Sequence, residues 1–442
     1  MERGGFGSKI GAVLASAGSA VGLGNIWRFP TECGSNGGAA FILIYLCCVF
    51  FLAMPVMISE FVIGRASRAN AVGSYRVLAP GKPWVVSGFM GVIAGFLVLS
   101  YYSVVAGWTL DYTFESLSGS LMSGSDFTAM FNGFVSNPWR PVIFLALFLL
   151  LTHFVVSTGV EKGIERYSKI MMPMLLAIIV ILIGFSLTMP NAVEGITFLL
   201  KPDFSKVTKD VVLSAMGQAF FTLSVGIGTL ATYASYFRKE TRLVSSAVGV
   251  CAIDTMVAIC AGFIIFPAVF SVGVDAGSGP GLVFITLPYV FQEAFGGIPV
   301  LEYLFSGLFY VLLLIAALTS SISMHEICTA YIHETFRISR ARAATIVTAV
   351  CFLLGVACSL SFGVWKDITV AGMGFFDLFD FITAKFLMPL GGLLICTFVG
   401  WDMNKRLVAA ELDSRLTPLL MILFSWVAPI GIGIIFIYGL IS

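Results

Sequence analysis

The chain has 442 residues, 58% hydrophobic and only 11% charged, with a net charge of +1 and a mean hydropathy of +0.99. A soluble domain of average make-up carries about 25% charged residues, so this composition excludes a soluble protein and indicates an all-α polytopic membrane protein. No basic tail or Lys/Arg cluster points to a nucleic-acid partner. The nine cysteines fall mostly inside apolar runs and form no Cys-x-x-Cys pair. They read as small buried hydrophobes, not as a disulfide framework or a metal cluster.

In chain order, the short polar segment Met1–Lys9 leads into an apolar run too long for a signal peptide. Stretches long enough to cross about 30 Å of hydrocarbon are predicted near 10–35, 39–66, 85–112, 140–160, 165–190, 210–237, 241–272, 299–335, 343–362, 375–400 and 416–440. Eleven spans put the two ends of the chain on opposite sides. Alternate breaks hold 18 of the 25 Lys and Arg residues, whereas 113–138 and 273–298 hold none. The positive-inside rule then predicts a cytoplasmic N-terminus and an external C-terminus in a plasma membrane. The external loop 191–209 departs from the pattern with Lys201, Lys206 and Lys209, diluted by Glu194 and Asp203. Residues 273–298 are predicted to form an external loop with a short helical hairpin that caps a vestibule.

Two segments spell nearly the same thing: Val21-Gly22-Leu23-Gly24 in span 1 and Val225-Gly226-Ile227-Gly228 in span 6. Glycine pairs invite a helix to unwind, and unwound backbone at membrane depth survives only against protein or a wet cavity. Matching interruptions in two halves of a chain mark a transporter's binding site; the competing reading is close helix packing. Each break leads a block of five spans, so the second block is expected to be inverted relative to the first. The predicted organisation is a first repeat over 1–190, an external loop over 191–209, a second repeat over 210–400, and an eleventh helix within 401–442.

The run Gly18-Ser19-Ala20-Val21-Gly22-Leu23-Gly24-Asn25-Ile26-Trp27-Arg28-Phe29-Pro30, followed by Asn36-Gly37-Gly38, resembles the signature of the neurotransmitter:sodium symporter family. Three further blocks agree: Gly217-Gln218-Ala219-Phe220-Phe221-Thr222-Leu223-Ser224, Tyr233-Ala234-Ser235-Tyr236 and Leu318-Thr319-Ser320-Ser321. The matches run from residue 3 to about 400 in family order, and eleven spans resemble the bacterial amino-acid transporter branch.

The resemblance implies two sodium ions. The first would use the Ala20 carbonyl, Asn25, Thr222, Asp254 and the substrate's carboxylate. The second would use carbonyls of Gly18, Val21 and Ala316 with hydroxyls of Thr319 and Ser320, although back-bonding within a helix is the plainer use of those hydroxyls. All are hard oxygen donors, as a hard cation requires. The family usually carries Asn where Asp254 stands. Tyr45, Gln218 and Thr222 match chloride-site positions, but Ala258 replaces the chloride-binding hydroxyl. A fixed carboxylate therefore supplies the negative charge, and chloride is not expected as a cofactor; Asp254 is a candidate proton acceptor on the sodium-free return step.

The substrate carboxylate is expected at the backbone NH groups of Leu23 and Gly24, the first sodium and the Tyr102 hydroxyl. The ammonium is expected at carbonyls of Ala20, Phe221 and Thr222, near Ser224. Amine transporters of the family place an aspartate where this chain has Gly22, so an amino acid fits better. Val98, Tyr102, Phe221, Ile227, Ser320 and Met324 would line the side-chain pocket. They offer no charge, which implies a neutral, hydrophobic or aromatic L-amino acid. By the resemblance, Arg28 and Asp380 are expected to pair in some states as an outer gate, with Phe221 and Tyr102 closing beneath. Arg3 and Glu334, beside Tyr236, match an inner gate, with a positive-inside charge as the alternative role for Arg3. Lys385 matches nothing in the family; it faces the external vestibule near Asp380 or marks a local difference. His153 and His325 are expected toward helix ends. The leading function is a sodium-coupled symporter. A proton-coupled carrier or exchanger of the same fold is the alternative, disfavoured by the intact Thr319-Ser320 pair. An enzyme, channel or receptor ranks third, because the polar residues converge on two helix breaks rather than on a nucleophile. Neither the oligomeric state nor the particular amino acid follows from the sequence.

Overall fold

A computed structural model describes residues 5–121, 126–272, 282–295, 298–412 and 415–441, without the side chains of 282, 294, 295 and 438–441. Among these residues the regular structure is helical, apart from an isolated bridge between Val370 and Met373. Among the described residues nine helices are long and apolar enough to cross a membrane, and the bent pair α1 (Lys9–Ala20) and α2 (Gly24–Ser35) makes ten when counted as one span. The nine include α3 (Ala39–Ser67), α4 (Val85–Ser118), α5 (Arg140–Ser157), α6 (Val160–Ser186), α10 (Leu243–Val272), α12 (Pro299–Phe336), α13 (Arg340–Leu360), α14 (Phe375–Asp402) and α16 (Thr417–Ile437). The remaining predicted span is split more widely, into α8 (Lys209–Thr222) and α9 (Thr229–Ala234).

Local chemistry explains many of the helix boundaries. Ser8, Asn70, Thr208 and Ser339 each cap a helix N-terminus by accepting from a backbone N–H one turn on, which satisfies donors that have no partner inside the helix. Three helices end at left-handed or glycine-like positions, at Arg68, Gly119 and Arg337. The long α4 and α12 pack against each other and carry the wall on which the two broken crossings lie.

The loop predicted over 191–209 is not a plain connection. It contains α7 (Ala192–Leu200), which packs on α10 through Leu199 and Gly195. Within 273–298, a turn over Leu282–Thr286 leads into α11 (Leu287–Phe295). The expected hairpin's other parts, 273–281 and 296–297, lie outside the described residues. His153 lies near the end of α5, as expected. His325 does not lie near a helix end: it is fully buried within α12, bonded to Thr348 and Thr329.

Candidate functional site

The first break is short. α1 stops at Ala20, Val21 turns extended (φ −69°, ψ 112°), and the chain restarts through a π-turn over Gly24–Arg28, bent by 54°. The second break is longer. Residues 223–228 leave the helix, with Ser224, Gly226 and Gly228 all at positive φ. Only glycine fits at 226: its φ is +92°, and a Cβ there would lie 2.3 Å from the Met388 carbonyl. Gly22 serves a different need. A Cβ on it would come within 3.1 Å of both Ser320 Cβ and the Tyr102 hydroxyl, so its absence lets α4 and α12 close on the break.

Between the breaks lies a cavity of about 30 Å³, lined by Ala20, Gly22, Leu23, Gly24, Val98, Tyr102, Phe221, Thr222, Ser224, Ile227, Ser320 and Met324. Each of these was expected at the substrate from the sequence. Two further walls were not: Tyr101 and Met388. The Leu23 N–H donates to the Tyr102 hydroxyl at 3.3 Å. The Ser224 and Ser320 hydroxyls converge on the Ser19 carbonyl at 3.3 and 3.2 Å, which draws the two breaks and α12 together.

The oxygen donors expected around the two sodium ions cluster in two places. Asn25 accepts from the Gly22 N–H at 2.9 Å and donates to an Asp254 carboxylate oxygen at 2.7 Å. The Thr222 hydroxyl lies 3.3 and 3.4 Å from the two Asp254 oxygens, and Ala20 and Thr222 share the cavity wall. In the second cluster the Thr319 hydroxyl lies 3.3 Å from the Val21 carbonyl and 3.0 Å from the Ala316 carbonyl. Gly18 faces it: a Cβ there would stand 3.2 Å from Thr319 Cβ. The first set is neutral oxygens plus the Asp254 carboxylate and the second is neutral oxygens throughout, and both suit a hard monovalent cation. No group of three or more His, Cys, Asp or Glu among the described residues has the arrangement for a transition metal.

Sequence reasoning passed over Glu60. It is fully buried in α3, and its two oxygens accept from the backbone N–H groups of Gly226 (2.8 Å) and Ala231 (3.1 Å). It thus satisfies donors that unwinding sets free. The signal was present, since an intramembrane carboxylate is functional by default.

The two charges expected at the outer gate stand apart in this structure. Arg28 and Asp380 do not pair within 4 Å among the described residues. Instead the Arg28 guanidinium sits 4.1 Å above the Phe221 ring and 3.9 Å from Glu32. A cation over an aromatic face is a competitive alternative to a solvated ion pair. Asp380 lies beside Tyr101. Above Phe221 opens a vestibule of about 310 Å³ lined by Arg28, Glu32, Asp210, Phe220, Phe221, Lys385 and Met388, among others. Lys385 therefore faces the vestibule. Phe221 and Met388 line both spaces and form the partition between them.

Beyond α9, Phe6 sits in an aromatic cluster. Its ring packs against Tyr233, Tyr236 and Phe237 at 5.9–6.2 Å, and its backbone is tied to the Tyr236 carbonyl and the Arg238 side chain. The Tyr236 hydroxyl donates to Glu326 at 2.7 Å, and Arg340 pairs with Glu326. Glu334 accepts from the backbone and side chain of Asn70, while its expected partner Arg3 lies outside the described residues.

Comparisons with known proteins agree with this geometry. A family model described as the sodium:neurotransmitter symporter family matches residues 3–132 and 126–442. The uncharacterized sodium-dependent transporter YhdH of Bacillus subtilis (strain 168) is 40% identical over 438 residues, covering 97% of this chain and 96% of its own. The human sodium- and chloride-dependent GABA transporter 2 is 27% identical over 440 residues, covering 87% and 70%. The crystal structure of MhsT in complex with L-phenylalanine is 45% identical, with a TM-score of 0.91 over 99% of this chain and all of that one. The chain therefore belongs to the sodium:neurotransmitter symporter family, and it is a membrane-spanning sodium-dependent transporter, not an enzyme.

Proposed function

We propose that the protein couples inward sodium movement to import of a neutral, hydrophobic or aromatic L-amino acid by alternating access. The observation that carries this reading is the cavity between the breaks. The Leu23 backbone and the Tyr102 hydroxyl line it, Thr222 links it to the Asn25–Asp254 cluster, and Val98, Ile227 and Met324 add uncharged wall. A zwitterion with an apolar side chain is complementary to that arrangement, and MhsT was crystallised with such a ligand. At about 30 Å³ the cavity is far smaller than ordinary ligand sites of several hundred Å³, so the substrate gains access by displacing Phe221 and Met388.

In this reading two sodium ions bind. One sits among Ala20, Asn25, Thr222, Asp254 and the substrate carboxylate; the other among Gly18, Val21, Ala316, Thr319 and Ser320. Sharing the carboxylate makes coupling thermodynamic, since each ligand raises affinity for the other. Residues 1–190 and 210–400 act as inverted repeats, with the N-terminus cytoplasmic and the C-terminus external. Asp254 supplies the negative charge that a chloride ion supplies elsewhere, because Tyr45 and Thr222 flank its carboxylate and Ala258 offers no hydroxyl.

Uptake of radiolabelled amino acids into proteoliposomes tests the reading. A sodium gradient at fixed pH should drive accumulation, competition should be strongest with large neutral side chains, and chloride and gluconate buffers should give equal rates. Uptake driven by a proton gradient without sodium would establish the rival proton-coupled carrier. Strict chloride dependence would overturn the role given to Asp254.

A further inference from the structure

We propose that the groove between the first turns of α1 and α10 is a binding site for one anionic phospholipid, its phosphate held by Lys9 and Arg242. The groove has a volume of about 330 Å³ and is lined by Lys9, Ile10, Val13, Leu14, Arg242, Ser245 and Ser246, with Glu240 and Thr241 at its rim. Its shape follows from helix packing. α1 and α10 touch at depth, where a Cβ on Gly249 would lie 3.7 Å from Val13 Cγ1, and they leave the groove between them nearer their N-terminal ends. Both helices present the same order along that groove. A cation stands at the start, Lys9 on one and Arg242 on the other, and apolar or hydroxyl side chains follow within the next turn.

Neither cation has an ion-pair partner among the described residues, and Glu240, the carboxylate at the rim, pairs with neither. Ile10 is 70% exposed, and with Val13 and Leu14 it makes an apolar strip at helical spacing that leads inward from Lys9. Head and tail of a phospholipid match this sequence of surfaces: phosphate between two unpaired cations and the Ser245 hydroxyl, acyl chain along Ile10, Val13 and Leu14. A free phosphate would use only the first half of the groove. Basic groups near a bilayer attract anionic lipid strongly, but here the apolar strip fixes one lipid at one place.

The experiment is native mass spectrometry of the full chain in neutral detergent, titrated with dioleoyl phosphatidylglycerol or dioleoyl phosphatidylcholine. One phosphatidylglycerol per chain should be retained about 30-fold more strongly than phosphatidylcholine, the effect of two cations acting together. Lys9→Gln with Arg242→Gln should bring retention down to the phosphatidylcholine level, whereas Lys9→Arg with Arg242→Lys should keep it. Millimolar inorganic phosphate should not displace the lipid. Unchanged retention in the glutamine pair would overturn the site. So would an equal loss in Arg342→Gln, an exposed cation at the start of α13, because retention would then reflect general positive charge. Displacement by phosphate would make it a simple anion site and overturn the lipid.

Discussion

Glu60→Gln isolates the support that holds the second break open. The wild-type carboxylate is fully buried, accepts from two backbone N–H groups at 2.8 and 3.1 Å, and faces no cation within 4 Å among the described residues. Two amide donors aimed at the two oxygens favour the ionised form, which accepts more strongly. Glutamine has the same shape but one acceptor. One amide keeps its bond, and the other meets an NH₂ group and is left unpaired. Leaving a buried donor unsatisfied costs about 1–3 kcal/mol, and the lost charge-assisted bond falls in a similar range. Part of that is returned, because a buried charge is no longer desolvated. A net cost of about 2 kcal/mol should fall on the unwound arrangement, on which sodium binding depends in the proposed reading. The expected result is an apparent sodium affinity about 30-fold weaker, read from thermal unfolding midpoints in detergent across a sodium titration. A variant within twofold of wild type would refute the reasoning, since it would mean that the carboxyl is neutral or that the two amides need no anion.

Other perturbations test neighbouring parts of the account. Gly226→Ala places a Cβ 2.3 Å from the Met388 carbonyl at a φ of +92°; the strain and overpacking together should cost about 3 kcal/mol, visible as a lower unfolding midpoint. Asp254→Asn removes the fixed anion, so sodium-driven uptake should become chloride-stimulated, and equal rates in chloride and gluconate would count against its assigned role. Met388→Ala thins the partition above the cavity. Bound amino acid should then leave about tenfold faster on dilution, a change of about 1.4 kcal/mol in the closing contacts, and an unchanged rate would return the partition to Phe221 alone. Arg65→Ala removes a buried guanidinium that pairs with Glu411 and bonds the Thr241 carbonyl. It leaves Glu411 without that partner, so stability should fall by about 3 kcal/mol and residues 405–412 should become sensitive to limited proteolysis.

Much of this was legible in the sequence because glycine spacing reports where a membrane helix cannot continue. Val21-Gly22-Leu23-Gly24 and Val225-Gly226-Ile227-Gly228 located both breaks, and the polar residues beside them located the donors. What stayed hidden depends on tertiary register. Met388 and Tyr101 are unremarkable apolar and aromatic positions within long helices, and only the packing of α14 and α4 turns them toward the cavity. Glu60 carries no motif of its own; its partners are main-chain amides 166 and 171 residues away. The family pattern pointed to Arg28 and Asp380 as charges that pair in some states, but the sequence gives no sign of the aromatic face that the guanidinium meets at 4.1 Å here. α7 was missed because its Lys-flanked sequence looks like a tether, whereas Leu199 and Gly195 make it a packed cover on α10.

The two seals of the central chamber are of unequal build. Outward, a phenyl ring and one thioether chain stand between cavity and vestibule, and rotamer changes of single side chains are among the faster protein motions. Inward, Phe6 is wedged among three aromatic rings and tied by its own main chain to the residue opposite, so that exit demands concerted movement of a helix end. In the importer proposed above, this build means that the site samples the exterior many times for each discharge to the interior, and turnover is set by how often the inner cork is drawn.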